Sequence, residues 1–91
     1  MLFVTLGTAK ASSTVKERVG RRLQWSYPQG SKIIAEYWLQ TSDPNLVVIS
    51  EADTIAPILA STADWDDVFS FTTVPAVTAE EGMEMARKMM A

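Results

Sequence analysis

The sequence contains neither cysteine nor histidine. Without them the chain forms no disulfide, offers no thiolate nucleophile and has no thiolate or imidazole ligand for zinc or haem. The absence of histidine also excludes a Ser-His-Asp triad and removes the side chain that most often acts as a base near neutral pH. Any acid–base chemistry would need a carboxylate, Lys, Tyr or a bound cofactor. We expect no metal and no cofactor in this protein.

Long apolar runs are also missing, since no segment approaches the roughly 20 apolar residues of a membrane span. The N-terminal residues, MLFVTLGTAK, lack the basic start and the long apolar run of a signal peptide, so we expect a cytoplasmic protein without a membrane partner. The net charge of −3 disfavours nucleic acid as a partner, because the phosphate backbone requires a basic surface.

The chain has 91 residues, of which 47% are hydrophobic and 21% charged, as expected for a folded domain. We predict a single domain over residues 1–91. A chain this short builds only a thin core, so association with a second copy would add buried surface.

Four segments have the β-branched and aromatic composition of strands, over 1–9, 31–41, 46–51 and 68–74. The second and third are separated by the turn cluster Ser42-Asp43-Pro44-Asn45, which predicts an antiparallel hairpin. Pro75 ends the fourth strand or marks it as an edge strand.

Helix starts are indicated at three places, two between these strands and one after the last. Thr14 with Glu17, and Thr78 with Glu81, have the spacing of a capping box, and Asp53 is expected to cap the helix between them. The order is therefore βαββαβ followed by an extra C-terminal helix. It predicts an α+β domain of the ferredoxin-like type with an antiparallel sheet.

Several residues along this order carry a family resemblance. They are the Pro28-x-Gly30 turn, Trp38, Glu51 with Asp53, Trp65, and Phe71 with Pro75. The chain resembles a domain-of-unknown-function family within the dimeric α+β barrel superfamily, whose small ferredoxin-like domains pair sheet to sheet. Relatives in that superfamily include cofactor-free monooxygenases, haem-degrading enzymes, chlorite dismutases and ligand domains of transcription regulators. The histidine that ligates haem in several of them has no counterpart here.

Strand alternation divides the sheet into two faces. The more apolar set of side chains is expected to meet the helices. The mixed set would face a partner or a cavity between two sheets, and it comprises Phe3, Thr5, Ile34, Glu36, Trp38, Val47, Ile49 and Glu51.

Thr5, Glu36, Trp38 and Glu51 are the candidate ligand-binding residues in that cavity. Glu36 and Glu51 would be close neighbours with raised pKa values, or else two solvated charges at the rim that titrate normally. Trp38 would be a cavity wall or an interface anchor. The basic residues between Lys10 and Arg22 would form a solvated helix face or bind an anion.

The leading functional hypothesis is a homodimer that binds a small molecule between its sheets. One alternative is a cofactor-independent, monooxygenase-like enzyme with Glu51 or Glu36 as the base. The other is a purely structural interaction module. No catalytic residue is identified by the sequence.

Overall fold

A computed structural model describes all residues from Met1 to Ala91. Seven elements follow one another along the chain: β1 (Leu2–Ala9), α1 (Val15–Gln24), β2 (Ser31–Trp38), β3 (Leu46–Ala52), α2 (Ala56–Ala63), β4 (Phe69–Ala76) and α3 (Ala79–Met90). The strands form one antiparallel sheet in the order β2-β3-β1-β4. The ferredoxin-like order with an additional C-terminal helix is therefore confirmed.

The edges of the sheet explain two features of the sequence. Pro75 lies within β4, which pairs only with β1, so its missing N–H removes no hydrogen bond from a central ladder. Gly30 precedes β2 with a φ of 106°, a conformation that favours glycine, and closes the turn that begins at Pro28. β2 itself ends at Trp38, three residues earlier than the sequence indicates.

Two of the three expected helix starts are confirmed. Thr14 and Thr78 each accept a hydrogen bond from the backbone N–H of the glutamate three residues later. The expected cap at Asp53 is wrong, because α2 begins after Ile55 without a side-chain cap. Pro57 instead presets the first turn, and the Thr54 hydroxyl accepts the N–H of Ala56.

The helices α1 and α2 cover the sheet face that carries Phe3 and Thr5 of β1, whereas Val47, Ile49 and Glu51, which were expected on the same face, lie on the opposite one. Phe3 of β1, Ala52 of β3 and Ile58 of α2 form the buried cluster beneath α2. Thr5 follows Phe3 on this face of β1 and pairs with Val48 of β3. The expectation that the more apolar set meets the helices is therefore wrong for β1, whose Leu2, Val4 and Leu6 lie on the other face, although Ile33 of β2 and Val48 of β3 do face the helices.

An irregularity in β2 changes which of its side chains share a face. The pairing shifts between Ile33 and Ala35, so Ile33 lies opposite Ser50 and Glu36 lies opposite Val48. Glu36 and Trp38 consequently lie on the helix-covered face with Ile33.

The opposite face of the sheet has no helix over it, and we call it the open face. Its central side chains are Leu2, Val4 and Leu6 of β1 with Val47 and Ile49 of β3. The C-terminal helix α3 has no buried residue and makes no extensive contact with another element. Apolar surface is thus left uncovered both on the sheet and on α3.

None of the three helices has the length and apolar character required to cross a bilayer.

Candidate functional site

A cavity of about 470 Å³ lies between the helix-covered face of the sheet and helices α1 and α2. This volume falls within the range of small-molecule sites, roughly 300–1,000 Å³. Only eight of the 91 residues are buried, so the packed core beside this cavity is small.

The sheet side of the cavity is mainly apolar, with Ile33, Leu46 and Val48 among its lining residues. The helix side adds Val19 of α1 and Ile58 of α2. Both layers therefore present apolar side chains to the same space.

A continuous row of five aromatic rings borders the same cavity. Neighbouring centroids lie 4.6, 5.7, 6.0 and 5.5 Å apart along the row, and the first three contacts are edge-to-face. The rings belong, in order, to Tyr27, Trp25, Trp65, Phe69 and Phe71. Apolar walls with an aromatic side suit a planar or apolar ligand.

Glu36 of β2 is the centre of a polar cluster in this apolar space. Its Oε1 accepts hydrogen bonds from Arg22 Nη2 at 3.0 Å and from the Tyr27 hydroxyl at 2.5 Å. Its Oε2 accepts from Arg22 Nε at 3.1 Å and from Trp38 Nε1 at 2.7 Å. Each carboxylate oxygen thus accepts two hydrogen bonds, which uses the acceptor capacity of the group.

These contacts set the charge state of the cluster. Burial raises the pKa of Glu36, but hydrogen bonds from Arg22, Tyr27 and Trp38 together lower it below its ordinary value of 4.5. Burial and the hydrogen bond to Glu36 raise the pKa of Tyr27 far above its usual range. The hydrogen bond to Glu36 also raises the pKa of Arg22. At neutral pH the cluster is a carboxylate, a guanidinium and a neutral phenol.

The family model for DUF3303, described as a domain of unknown function, matches residues 1–90. The chain belongs to the DUF3303 family. No curated protein and no solved structure matches it.

Three of the four candidate residues of this DUF3303 domain line one cavity, namely Thr5, Glu36 and Trp38. The Thr5 hydroxyl lies 3.0 Å from that of Thr73, and Trp38 stands half exposed at the mouth. Glu51 is not among them. It lies opposite Leu2 and Lys32, on the open face and away from Glu36.

The expected carboxylate pair is therefore wrong in two respects. Glu36 and Glu51 occupy opposite faces, because the irregularity in β2 and the phase of β3 separate them. The pKa of Glu36 is lowered rather than raised, because four donated hydrogen bonds outweigh its desolvation.

Sequence reasoning missed the basic side of the DUF3303 cavity. Arg18 and Arg22 belong to the basic set for which a solvated helix face and an anion site are the two interpretations, and both line the cavity together with Val15 and Val19. These four positions have the i, i+3, i+4, i+7 spacing of one helix face. Leu23, four residues after Val19, is 77% exposed and does not line the cavity. The alternation of valine and arginine at these four positions is the sequence signal for the side of α1 that faces the cavity.

The DUF3303 site offers binding groups more readily than catalytic ones. No group of three or more acidic side chains is arranged to hold a metal ion. Glu36 is ionised, but its lone pairs are engaged by the chain itself, which leaves no acceptor for a substrate proton. Among the hydroxyls that line the cavity, those of Ser61 and Thr62 donate to backbone carbonyls of their own helix.

Proposed function

We propose that the protein is a homodimer of the dimeric α+β barrel type that binds a small, mainly apolar molecule in the cavity between its sheet and helices α1 and α2. The observation that carries this proposal is the cavity of about 470 Å³, bordered by apolar side chains and the aromatic row. Sites for small molecules are typically apolar cavities with a few fixed polar groups.

The Glu36 cluster supplies the fixed polar groups. Three hydrogen bonds fix the Arg22 side chain. Two go to the oxygens of Glu36, and the third runs from Nη1 to the carbonyl of Trp25 at 3.2 Å. The Tyr27 hydroxyl donates to Glu36 and therefore keeps a lone pair for a ligand donor. Such groups orient a ligand without moving on binding, which limits the entropic cost of association.

The homodimer is supported by two apolar surfaces that do not meet within one chain. The open face carries aliphatic side chains across its two central strands. Helix α3 carries Ala79, Met83, Ala86 and Met90 at helical spacing on one side, and none of its residues is buried. A second copy related by twofold symmetry would cover both surfaces at once.

The enzymatic alternative receives less support from the geometry. A base needs a free lone pair and a substrate within hydrogen-bond reach. Glu36 has its oxygens occupied, and Glu51 lies outside the cavity. Binding without turnover accounts for the site more simply.

A thermal-shift measurement with 2-naphthamide tests cavity binding. The neutral fused ring suits the aromatic row, and at ten times Kd a ligand of the folded state stabilises it by ~1.4 kcal/mol, which raises Tm by roughly 7 °C. Ser61→Phe places a large ring into the cavity from α2 and should abolish the shift. Ala60→Phe adds the same ring on the exposed side of α2 and should retain it.

The proposal fails if 2-naphthamide produces no shift in the wild type, or if Ser61→Phe and Ala60→Phe respond equally. A loss of the shift in Ser61→Phe alone assigns binding to the cavity rather than to the open face.

A further inference from the structure

The three arginines of α1 differ in how their charges are neutralised. Arg21 forms an ion pair with Asp67 at 2.9 Å, and Arg22 forms one with Glu36 at 3.0 Å. Arg18 pairs with no carboxylate. Its Nη1 donates to the carbonyl and the hydroxyl of Ser13, both at 2.9 Å, and its other nitrogens have no protein acceptor.

Arg18 is nevertheless part of the cavity wall. Its guanidinium carbon lies 5.9 Å from the centre of the Phe69 ring, the fourth ring of the aromatic row. The side chain is half-buried, so its charge is only partly solvated. A partly desolvated cation beside an aromatic ring favours the approach of an anion to its unused N–H groups.

The charges that line the cavity do not balance. Arg18, Arg22 and Glu36 are its only ionisable side chains with a formal charge at neutral pH, so its walls carry two positive charges and one negative charge. Since Glu36 and Arg22 neutralise each other, the remaining charge is that of Arg18. A monoanionic ligand would bring the cavity to neutrality.

We infer that the ligand of this cavity is an apolar carboxylate, whose carboxylate is bound by the free N–H groups of Arg18 and whose apolar body lies along the aromatic row. This inference rests on the proposed binding function. A guanidinium presents its N–H groups in a planar fork that matches the two oxygens of a carboxylate. The apolar and aromatic lining then accepts a body that is itself uncharged.

Two probes of the same shape test this inference, 2-naphthoate and its neutral isostere 2-naphthamide. Their dissociation constants are measured by titration followed in ¹H–¹⁵N spectra, with Val19, Ser50 and Thr62 reporting on the cavity. A charge-assisted hydrogen-bond pair should make the naphthoate about tenfold tighter than the naphthamide.

Substitution of Arg18 assigns the preference to that residue. Arg18→Gln should reduce the ratio of the two dissociation constants to about one, since only the charged contact is lost. Lys16→Gln removes the same charge from an exposed position of α1 and should leave the ratio unchanged. The Arg18 Nε signal of the wild type, which requires no variant, should shift with naphthoate and stay in place with naphthamide.

Equal affinity of the wild type for both probes would overturn the inference and leave the binding function intact. A tenfold preference that survives Arg18→Gln would overturn it as well, because another group would then hold the carboxylate. Absence of any shift at the cavity residues with either probe would overturn both the inference and the proposed function.

Discussion

At the scale of single residues, Glu36 connects three parts of the chain. Arg22 comes from α1, Tyr27 from the segment after it, and Trp38 from the same strand as Glu36. A mostly buried carboxylate with its acceptor sites filled is a fixed structural anion. Its role in the cavity is therefore to hold Arg22, Tyr27 and Trp38 in place.

Glu36→Gln should destabilise the protein by ~2–3 kcal/mol, because it leaves the half-buried Arg22 without its counter-charge and turns an acceptor into a donor. The side chains of the pair are 33% and 16% exposed, so solvent screens them only partly. Urea unfolding measures the change. Glu84→Gln, which removes an exposed ion pair with Arg87, should cost less than ~0.5 kcal/mol. Equal effects of the two substitutions would contradict the structural role of Glu36.

The lowered pKa of Glu36 also fixes the sign of an acid dependence. Between the folded pKa and the ordinary value of 4.5, the unfolded chain binds a proton that the folded chain does not. Stability from this group is therefore fully present above 4.5 and is lost as the pH falls through the folded pKa. Carbon NMR titration of the Glu36 carboxyl should show a midpoint below 4.5. A midpoint above that value would mean that desolvation dominates and that the four hydrogen bonds are not formed in solution.

At the scale of elements, local signals in the sequence were sufficient for the order of helices and strands. The two capping boxes, the Gly30 turn and the edge position of Pro75 are each fixed by a few neighbouring residues. The faces of the sheet were not predictable in the same way. Both faces carry apolar residues, and alternation alone does not reveal which one the helices cover.

The irregularity between Ile33 and Ala35 was a second obstacle, because a one-residue shift exchanges the faces of a strand. Thr5, Glu36 and Trp38 line one cavity, but it lies between the sheet and the helices rather than between two sheets. Glu51 lies on the other face because of the phase of β3. Tyr27 was unpredictable, since it follows α1 and reaches Glu36 through tertiary packing.

The caps provide a prediction at this scale. Thr14→Ala should destabilise the protein by ~1 kcal/mol, because the N–H of Glu17 loses its acceptor at the start of α1. Asp53→Ala should change the free energy of unfolding by less than ~0.5 kcal/mol, since Asp53 caps no helix. Urea unfolding of both variants at one protein concentration decides the matter. A larger loss for Asp53→Ala would show that α2 begins earlier than described.

At the scale of the whole molecule, the protein is elongated, with extents of 52 × 28 × 17 Å. Exposed apolar side chains are numerous for so small a chain, and Met83, Met89 and Met90 of α3 are among them. Apolar surface of this extent on a small domain is typical of an interface. The open face and α3 therefore account for the proposed dimer, while the cavity lies on the other side of the sheet.

Ile49→Glu tests the dimer, because it places a charge at the centre of the open face. Sedimentation equilibrium at micromolar concentration should show a dimer for the wild type and a monomer for this variant. Leu59→Glu adds the same charge on the exposed side of α2 and should remain dimeric. A monomeric wild type, or dissociation caused equally by both variants, would contradict the assignment of the interface.

The cavity itself is tested most directly by a crystal structure determined under xenon pressure. Xenon occupies apolar cavities without requiring a specific ligand. The account predicts xenon between the sheet and the helices, in contact with Val48 and Ile58, with Arg22 paired to Glu36 as described. A structure in which α1 packs directly onto the sheet, with no xenon between the two layers, would contradict it.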